Sequence, residues 1–422
     1  MVAVAQVAAA RGDERVPLLF LCHRIPYPPN KGDKIRAFHL LHHLARHFDV
    51  HLATFVDDPA DWAYTGDVRK HCASALFAPL KPWQATLRSL VGLLSGEALT
   101  LPYYRDRGLA RCVELMVLRH RIRHAIVYSS AMSQYLPGDG AGFARRVADF
   151  VDVDSDKWLQ YGARKRWPLS WVYRREGERL LAHEQAVARA FDAGLFVSAA
   201  EAALFRRLTP DAAERIGHYA NGVNADYFVP GQPINPFPAD ARALVFTGAM
   251  DYWPNVDAVC WFAREVFPAL RAAHPDLSFY VVGGSPTPEV RALAGHGVTV
   301  TGRVPDVRPY LDHALAAVAP LRVARGVQNK VLEGMAMARP VLVTAKGLEG
   351  IGARDREEVL VAESPADFLR CVDELLAGAH VGLGERARDH VRRSFSLDDN
   401  LPEVVSLLGG PAAARADAAS HA

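Results

Sequence analysis

Residues 325–340 read Arg-Gly-Val-Gln-Asn-Lys-Val-Leu-Glu-Gly-Met-Ala-Met-Ala-Arg-Pro, and the apolar run Val341-Leu342-Val343 follows them. The composition after Gly326 is typical of a helix, and Pro340 marks the exit from that helix toward a strand. A helix N-terminus carries unpaired N–H groups and partial positive charge, so it suits a phosphate group. The stretch therefore predicts a glycine loop, a helix and a strand, with an anion bound where the helix begins.

Two charged side chains of this predicted helix have the chemistry that a nucleotide-sugar needs. Lys330 and Glu333 are three residues apart and share one helix face. The ammonium group can meet a diphosphate, while the carboxylate can accept hydrogen bonds from sugar hydroxyls. Taken on spacing alone, an ordinary solvated ion pair is equally compatible, because short motifs often match by chance.

Short apolar segments alternate with helical stretches along most of the chain. Such alternation predicts an α/β fold with parallel sheets that helices cover on both faces. A length of 422 residues is too great for one core and favours two domains. We predict strands at 16–22, 50–56, 75–80, 124–128, 146–151, 193–198 and 215–219, then at 243–248, 277–282, 298–301, 315–319, 341–344 and 359–361.

One segment interrupts this alternation. Residues 221–242 contain an Asn-Gly pair and four prolines, which is typical of an interdomain linker. We therefore predict Rossmann-like domains over 16–220 and 243–395. A loose N-terminus over 1–15, a terminal helix over 396–408 and a disordered Ala-rich tail over 409–422 complete the predicted organisation.

Composition excludes several function classes. The 49 Lys and Arg against 47 Asp and Glu give a net charge of +2, which is no nucleic-acid signature. The five cysteines show no CxxC spacing, which argues for a reducing compartment and against structural zinc. We find neither an apolar run long enough to span a bilayer nor a signal-peptide core. These features predict a cytoplasmic protein with no nucleic-acid partner.

Three predicted strands of the second half end in glycine, at Gly248, Gly283-Gly284 and Gly302. Ligands of open α/β sheets bind beyond the carboxyl ends of the strands, where glycine lets backbone amides come close. Any one of these glycines alone is more simply a turn residue. Together with Lys330 and Glu333 they predict a ligand-binding constellation. No Gly-x-Gly-x-x-Gly follows the first strand, which argues against a dinucleotide dehydrogenase.

The segment from Lys330 to Pro340 resembles the donor-binding segment of the retaining GT-B glycosyltransferases, which ends in Lys-x-x-Glu-Ala-Met-Ala-x-Gly-x-Pro. Asn221-Gly222-Val223-Asn224 resembles their interdomain segment, and Gly302-Arg303-Val304 resembles the segment that borders the nucleobase. The resemblance implies a GT-B fold, with two Rossmann-like domains facing across a cleft and a C-terminal helix that crosses back to the first domain. It also implies sugar transfer, with retention, from a nucleotide diphosphate-sugar to a glycan or lipid-linked acceptor.

The same resemblance assigns roles to residues. It makes Lys330 and Glu333 the catalytic candidates, on the diphosphate and the donor hydroxyls. Relatives often carry an acid where this chain has Arg325, and an arginine can hold phosphate but cannot accept from hydroxyls. UDP or GDP sugars would enter as substrates, with no permanently bound cofactor and no metal. The implied donor-binding residues are Gly248, Gly283, Gly284, Gly302, Arg303, Val304, Arg325, Gly326, Val327, Lys330 and Glu333.

Two longer segments resemble a narrower group. Residues 248–257 and 23–36 are similar to the sugar transferases associated with exosortase (PEP-CTERM) systems, which implies a role in exopolysaccharide biosynthesis. The chain has no cation between Gly248 and Arg264, where many relatives neutralise the diphosphate. That charge would then fall to Lys330, Arg325, Arg322 and the helix N-terminus. A first-domain histidine typical of the family is not evident, since Ser129 and Ser130 occupy its region, so no general base is assigned.

The first predicted helix also begins at a glycine among charges. We expect Lys31, Gly32, Asp33 and Lys34 to contact a donor phosphate or an acceptor diphosphate. The alternative is a charged loop in which Asp33 complements the helix dipole. Further on, Asp152, Asp154 and Asp156 partly match a calcium loop but lack its glycine and terminal glutamate. GT-B enzymes generally work without a bound catalytic metal, so the resemblance implies that these acids lie at the cleft rim and orient the acceptor.

Residues 164–175 interleave cations with Trp167, Trp171 and Tyr173. Such a mixture favours peripheral contact with an anionic membrane surface or a lipid-diphosphate acceptor. A solvated face with two aromatic anchors in the core is equally compatible.

Two rival functions also remain open at this point: a non-catalytic subunit that binds nucleotide-sugar or glycan, and a sugar-nucleotide epimerase that needs no acceptor.

Overall fold

The structure is a computed structural model that describes residues 15–29, 32–137, 142–239, 241–324, 326–396 and 401–410. The chain divides into two compact units. Unit 1 comprises the described residues up to 219 together with 401–410, and unit 2 comprises the described residues from 220 to 396. Within these residues no helix is both long and apolar enough to cross a bilayer.

Unit 1 is built on a sheet of seven parallel strands. The strands are β1 (Val16–Cys22), β2 (Phe48–Val56), β3 (Ser74–Pro79), β4 (His124–Tyr128), β5 (Arg145–Val151), β6 (Ala193–Phe196) and β7 (Ile216–His218). Their order across the sheet is β3-β2-β1-β4-β5-β6-β7. The order reverses direction between β1 and β4, and in such sheets that point is where a crevice opens for ligands.

Helices cover both faces of this sheet. The described helices of unit 1 that precede unit 2 are α1 (Gly32–Leu44), α2 (Thr65–Arg69), α3 (Pro82–Ser89), α4 (Val91–Ser95), α5 (Thr100–Tyr103), α6 (Arg107–His120), α7 (Asp154–Arg164), α8 (Leu169–Ala190) and α9 (Ala199–Leu208). Short 3-10 turns lie at Pro59–Tyr64, Ser130–Tyr135 and Pro210–Arg215.

The alternation of side chains along β1 explains why both faces need cover. Leu19 and Leu21 belong to one hydrophobic cluster, whereas Leu18 and Phe20 belong to another. Successive side chains of a strand point to opposite faces, so a strand that is apolar at every position must be buried on both sides. These four side chains are completely buried.

Unit 2 repeats the plan with six parallel strands. They are β8 (Arg242–Thr247), β9 (Leu277–Val282), β10 (Val298–Gly302), β11 (Ala316–Ala319), β12 (Val341–Val343) and β13 (Leu360–Val361), in the order β10-β9-β8-β11-β12-β13. Its helices are α10 (Trp253–Trp261), α11 (Phe267–Ala273), α12 (Pro288–Arg291), α13 (Arg308–Asp312), α14 (Asn329–Ala336), α15 (Pro365–Leu376) and α16 (Leu383–Ser394). A π-helical turn, Phe262–Val266, joins α10 to α11.

After unit 2 the chain packs once more on unit 1. The last described helix is α17 (Pro402–Leu407). Leu401, Val404 and Leu408 are buried in the hydrophobic cluster that contains Leu18 of β1. The Leu408 carbonyl oxygen lies 2.7 Å from Nδ1 of His124 in β4. The predicted tail from 411 onward lies outside the described residues.

Candidate functional site

The helix α14 in unit 2 begins where the sequence predicts an anion. Its N-cap residue, Gln328, makes no capping hydrogen bond through its side chain. Gly326 has a φ of 65°, a conformation that favours glycine, in the turn leading to the helix. The Val331 amide of the first turn donates to the Gln328 carbonyl at 3.0 Å. The two amides before it have no acceptor one turn back in the helix, so they suit solvent or a ligand anion.

Lys330 extends from this helix toward the end of β8. Its Nζ lies 5.4 Å from the centroid of the Phe246 ring. A methyl group built on Gly248 would lie 3.5 Å from Lys330 Cε, so the lysine stem runs alongside that glycine. Within the described residues, the Lys330 ammonium makes no hydrogen bond and no ion pair shorter than 4.0 Å.

Burial perturbs both charges of this helix face. It lowers the pKa of Lys330 to about 8, and the charge of Glu333 opposes only part of that effect. Burial likewise raises the pKa of Glu333 to about 7, against the opposing influence of Lys330. Both groups titrate close to neutral pH because their surroundings withhold water from them. An anion placed beside Lys330 would favour its charged form.

The glycines predicted to serve the donor are brought together at the carboxyl ends of β8, β9 and β10. The Gly248 amide donates to the Val282 carbonyl at 3.1 Å, and the Gly283 amide donates to the Gly302 carbonyl at 3.1 Å. A Cβ on Gly283 would lie 1.7 Å from the Gly248 carbonyl oxygen, so no other residue fits there. The close packing of these backbones requires glycine at this edge of the sheet.

The other predicted donor residues occupy different surroundings. Arg303 is exposed, and a methyl built on Gly284 would lie 3.5 Å from its Nε. Val327 is buried in a hydrophobic cluster of unit 2, and Val304 packs against the same cluster. Arg325 lies outside the described residues, so its predicted contact with phosphate stays a prediction.

Two buried amides near these residues have oxygens without a partner among the described residues. Asn255 of α10 donates from Nδ2 to the Ala249 carbonyl at 2.9 Å, but its Oδ1 is unpaired. Asn329 Oδ1, at the first position of α14, is also buried and unpaired. Buried oxygens that lack donors are uncommon, and here they lie at the starts of two helices that border the glycines.

Arg322, which the sequence offered as a phosphate ligand, already has an ion-pair partner. Its guanidinium donates to both carboxylate oxygens of Asp257, at 3.1 and 2.5 Å, and lies 5.6 Å from the Trp261 ring. These residues border a cavity of about 420 Å³ on the outer side of α10, together with Trp253 and Glu289. Arg322 is therefore a weaker candidate for the diphosphate than Lys330.

In unit 1, the charged residues at the start of α1 are engaged with protein partners. Lys34 Nζ lies 2.5 Å from Asp61 Oδ2, and both side chains are buried. Asp33 accepts from Arg24 at 2.7 Å, and its pKa lies well below its usual range, held down against burial by His23 and Arg24. The prediction that Lys34 contacts a phosphate is at odds with this geometry, because its charge is already compensated. Lys31 lies outside the described residues.

The structure adds a group that the sequence analysis missed. The His23 ring, directly after β1, stacks on Tyr128 at 5.7 Å, and His23 Nε2 lies 3.7 Å from Asp33 Oδ2. Ser129, directly after β4, has a φ of 77°, which is uncommon for a residue with a side chain. These residues meet where the strand order reverses, between β1 and β4. That topology is the signal that could have singled out His23 beforehand.

The acidic run after β5 is paired with a lysine. Lys157 Nζ, in α7, lies 2.6 Å from Asp152 Oδ2 and 3.1 Å from Asp154 Oδ1, so these two acids neutralise this lysine. No group of three metal-binding side chains occurs within the described residues. Asp156 accepts from Gln160 at 2.7 Å in the same helix.

Part of the second unit matches a known protein family. Residues 241–378 match the family described as "Glycosyl transferases group 1". A sequence search of the curated proteins found no match. The matched range contains the glycines, Lys330 and Glu333, so the candidate site lies wholly within the part of the chain that this family covers.

Solved structures share the fold of both units. Sucrose-phosphate synthase from Thermosynechococcus elongatus aligns over 93% of this chain and 98% of its own, with a TM-score of 0.68 and 18% identity. WaaG, a glycosyltransferase of lipopolysaccharide biosynthesis, aligns over 93% and 99%, with a TM-score of 0.63 and 16% identity. HepE from Anabaena, solved with UDP-glucose, aligns over 94% and 100%, with a TM-score of 0.63 and 11% identity.

These likenesses confirm the predicted α/β fold of the GT-B type. At such identities the solved structures show the fold alone. Residues 241–378 are similar to the group 1 glycosyltransferases.

Proposed function

We propose that the protein transfers a sugar from a nucleotide diphosphate-sugar to a glycan or lipid-linked acceptor, with retention of configuration, in exopolysaccharide biosynthesis. The observation that carries this proposal is the assembly at the start of α14. There an ammonium with no hydrogen bond or ion pair among the described residues, a helix start without a side-chain cap and three closely packed glycine strand ends lie within the residues that match the group 1 glycosyltransferases.

In this proposal Lys330 and the amides that follow Gly326 hold the donor diphosphate. The bond from the anomeric carbon to the diphosphate oxygen breaks, and negative charge grows on the leaving group. A preformed cation and aligned amides stabilise that charge without reorganisation, which is the usual source of such catalysis. The acceptor oxygen bonds to the anomeric carbon, and its proton passes to the departing phosphate.

Glu333 has a separate task on the donor sugar. Its carboxylate would accept hydrogen bonds from sugar hydroxyls and so fix the anomeric carbon against the acceptor. Gly302, Arg303 and Val304 would border the nucleobase. HepE was solved with UDP and with UDP-glucose, and we propose UDP as the first nucleotide to examine and GDP as the second.

The acceptor side of the proposal concerns unit 1. We assign Gly32, Asp33 and the neighbouring His23 to acceptor contact, at the end of β1. A lipid-linked acceptor would place the protein in the cytoplasm at the inner face of a membrane. No general base is required of the protein, because the departing phosphate takes the proton.

The test is a turnover assay with UDP- and GDP-sugars, preceded by a thermal-shift panel of the free nucleotides. Stabilisation follows affinity by mass action, so the panel selects the base. We expect sugar transfer to a lipid-diphosphate acceptor, with the anomeric configuration read by NMR. Binding without turnover would instead support the scaffold subunit, and conversion of the donor without acceptor would support an epimerase. Glu333→Gln should abolish turnover while UDP still binds.

A further inference from the structure

Unit 1 exposes an unusual number of large apolar side chains on α3 and α4. Leu94 is 92% exposed, and four others in the same 12-residue stretch are at least half exposed. We call this set the apolar face. Its members are Trp83, Leu87, Leu90, Val91 and Leu94.

The helix α3 places its apolar residues away from the core. Trp83, Leu87 and Leu90 follow one another at intervals of four and three residues and so share one face. The buried side of α3 consists of Ala85 and Ser89. A helix at a solvent-exposed surface normally turns its larger apolar residues toward the core. In α3 these residues face solvent instead.

A second exposed segment lies beside the apolar face. Trp167 is 80% exposed, and Trp171, in the first turn of α8, is also exposed. Arg175, one turn further along α8, donates to the Gly92 carbonyl at 2.7 Å and to the Glu97 carbonyl at 3.1 Å. These bonds hold the beginning of α8 against the end of α4. Because both tryptophans are exposed, neither is an aromatic anchor in the core.

The charge on this surface has one sign. Residues 80–96 and 165–175 contain no acidic residue, and they carry six cations. Four of them are exposed and make no ion pair with any residue that the structure describes: Lys81, Lys165, Arg166 and Arg174. The nearby acid Glu97 is already paired with Arg105 at 3.1 Å.

We propose that the apolar face and residues 165–174 together form a peripheral binding surface for an anionic lipid bilayer. Exposed tryptophan and leucine beside unpaired lysine and arginine are the combination that partitions into the headgroup region. A second protein copy would bring the same cations against each other, so the unbalanced positive charge favours lipid phosphate over self-association. The surface lies in unit 1 and shares no residue with the proposed donor site.

The test is co-sedimentation of the full chain with vesicles of phosphatidylcholine and phosphatidylglycerol, compared with phosphatidylcholine alone. We expect binding to the mixed vesicles that weakens as salt rises. Lys165→Gln, Arg166→Gln and Arg174→Gln should each weaken partitioning about fivefold, since one cation near the surface contributes about 1 kcal/mol. Leu90→Glu with Leu94→Glu should abolish it.

The matched control is Val381→Glu, which changes an equally exposed apolar residue of unit 2 and should leave sedimentation unchanged. The thermal shift with UDP should be unaltered in every variant, which separates this surface from donor binding. Equal sedimentation of wild type and the Leu90/Leu94 variant would overturn the proposal. So would a wild-type dimer in ultracentrifugation that the same variant dissociates, because the apolar face would then be a protein contact. A negative result in the vesicle experiment would not bear on the sugar-transfer assay, which tests the proposed function separately.

Discussion

The two units each begin a helix with a glycine and a lysine close by, yet the two lysines have opposite surroundings. In unit 1, Lys34 is buried and paired with Asp61. Arg36, two residues later in the sequence, is buried and paired with Asp149. In unit 2, Lys330 has an aromatic ring and a partly buried carboxyl group nearby but no hydrogen-bond partner among the described residues.

The difference teaches which cation belongs to the fold and which awaits a ligand. A buried charge must be compensated, and Lys34 and Arg36 are compensated by side chains of the same unit. Burial lowers the pKa of Lys330, because no such partner among the described residues compensates its charge. An anionic ligand bound beside Lys330 would supply that compensation.

The largest expected effect on stability comes from breaking the buried Arg36–Asp149 ion pair of unit 1. Arg36 Nε and Nη2 donate to Asp149 at 3.0 and 3.1 Å, and both side chains are almost fully buried. Arg36→Met should lower the free energy of unfolding of unit 1 by about 3–5 kcal/mol, because it strands the Asp149 charge. Urea unfolding measures this, with the exposed Arg174→Met as control. A loss no larger than that of the control would contradict the assignment of Arg36 to the fold.

A smaller loss is expected from the glycine packing of unit 2. Gly283→Ala would place a methyl 1.7 Å from the Gly248 carbonyl oxygen, so the two strand ends must separate. We expect a destabilisation of about 1–3 kcal/mol, typical of overpacking. The neighbouring Gly284→Ala is the control, since its nearest contact would be 3.5 Å. Equal melting temperatures for the two variants would show that the close approach of Gly283 to the Gly248 carbonyl does not matter for stability.

The smallest predicted effect is a pH dependence of nucleotide affinity. Lys330 has a pKa of about 8 without ligand, and a bound diphosphate should raise that pKa. Its charge is present below pH 8 and is lost as the pH rises, so UDP should bind about tenfold more weakly per pH unit above 8, until the pKa of the complex is reached. Calorimetry at several pH values measures this. Lys330→Arg should show a flat profile, since arginine stays charged, and a flat wild-type profile would remove Lys330 from the diphosphate.

Much of the fold could be predicted because apolar strands with turn residues between them leave few alternatives. Each of the thirteen strands lies within two residues of its predicted position. The long helix α8 was not predicted, because its buried side includes Glu176 and Glu184, which interrupt the apolar stripe. Glu176 accepts from the amides of Leu99 and Thr100. A buried acid that serves a distant backbone leaves no periodic signal.

The candidate site was predictable where it depends on local spacing and not where it depends on distant partners. Lys330 and Glu333 share a face by helix geometry alone, and glycines at strand ends meet because parallel strands end at one edge. The partners of Lys34 and Arg36 are 27 and 113 residues away in sequence. Spacing could not show that these two cations were engaged, nor that the apolar stripe of α3 faces outward.

The most direct test of the central claim compares Lys330→Met with Lys34→Met, by calorimetry with UDP and by urea unfolding. We predict that Lys330→Met binds UDP about 10–100-fold more weakly, the value of one charged hydrogen bond, without loss of stability. Lys34→Met should lose stability, because Asp61 is left unpaired, while binding UDP as the wild type does. Wild-type affinity in Lys330→Met, or weakened UDP binding in a fully stable Lys34→Met, would contradict the account.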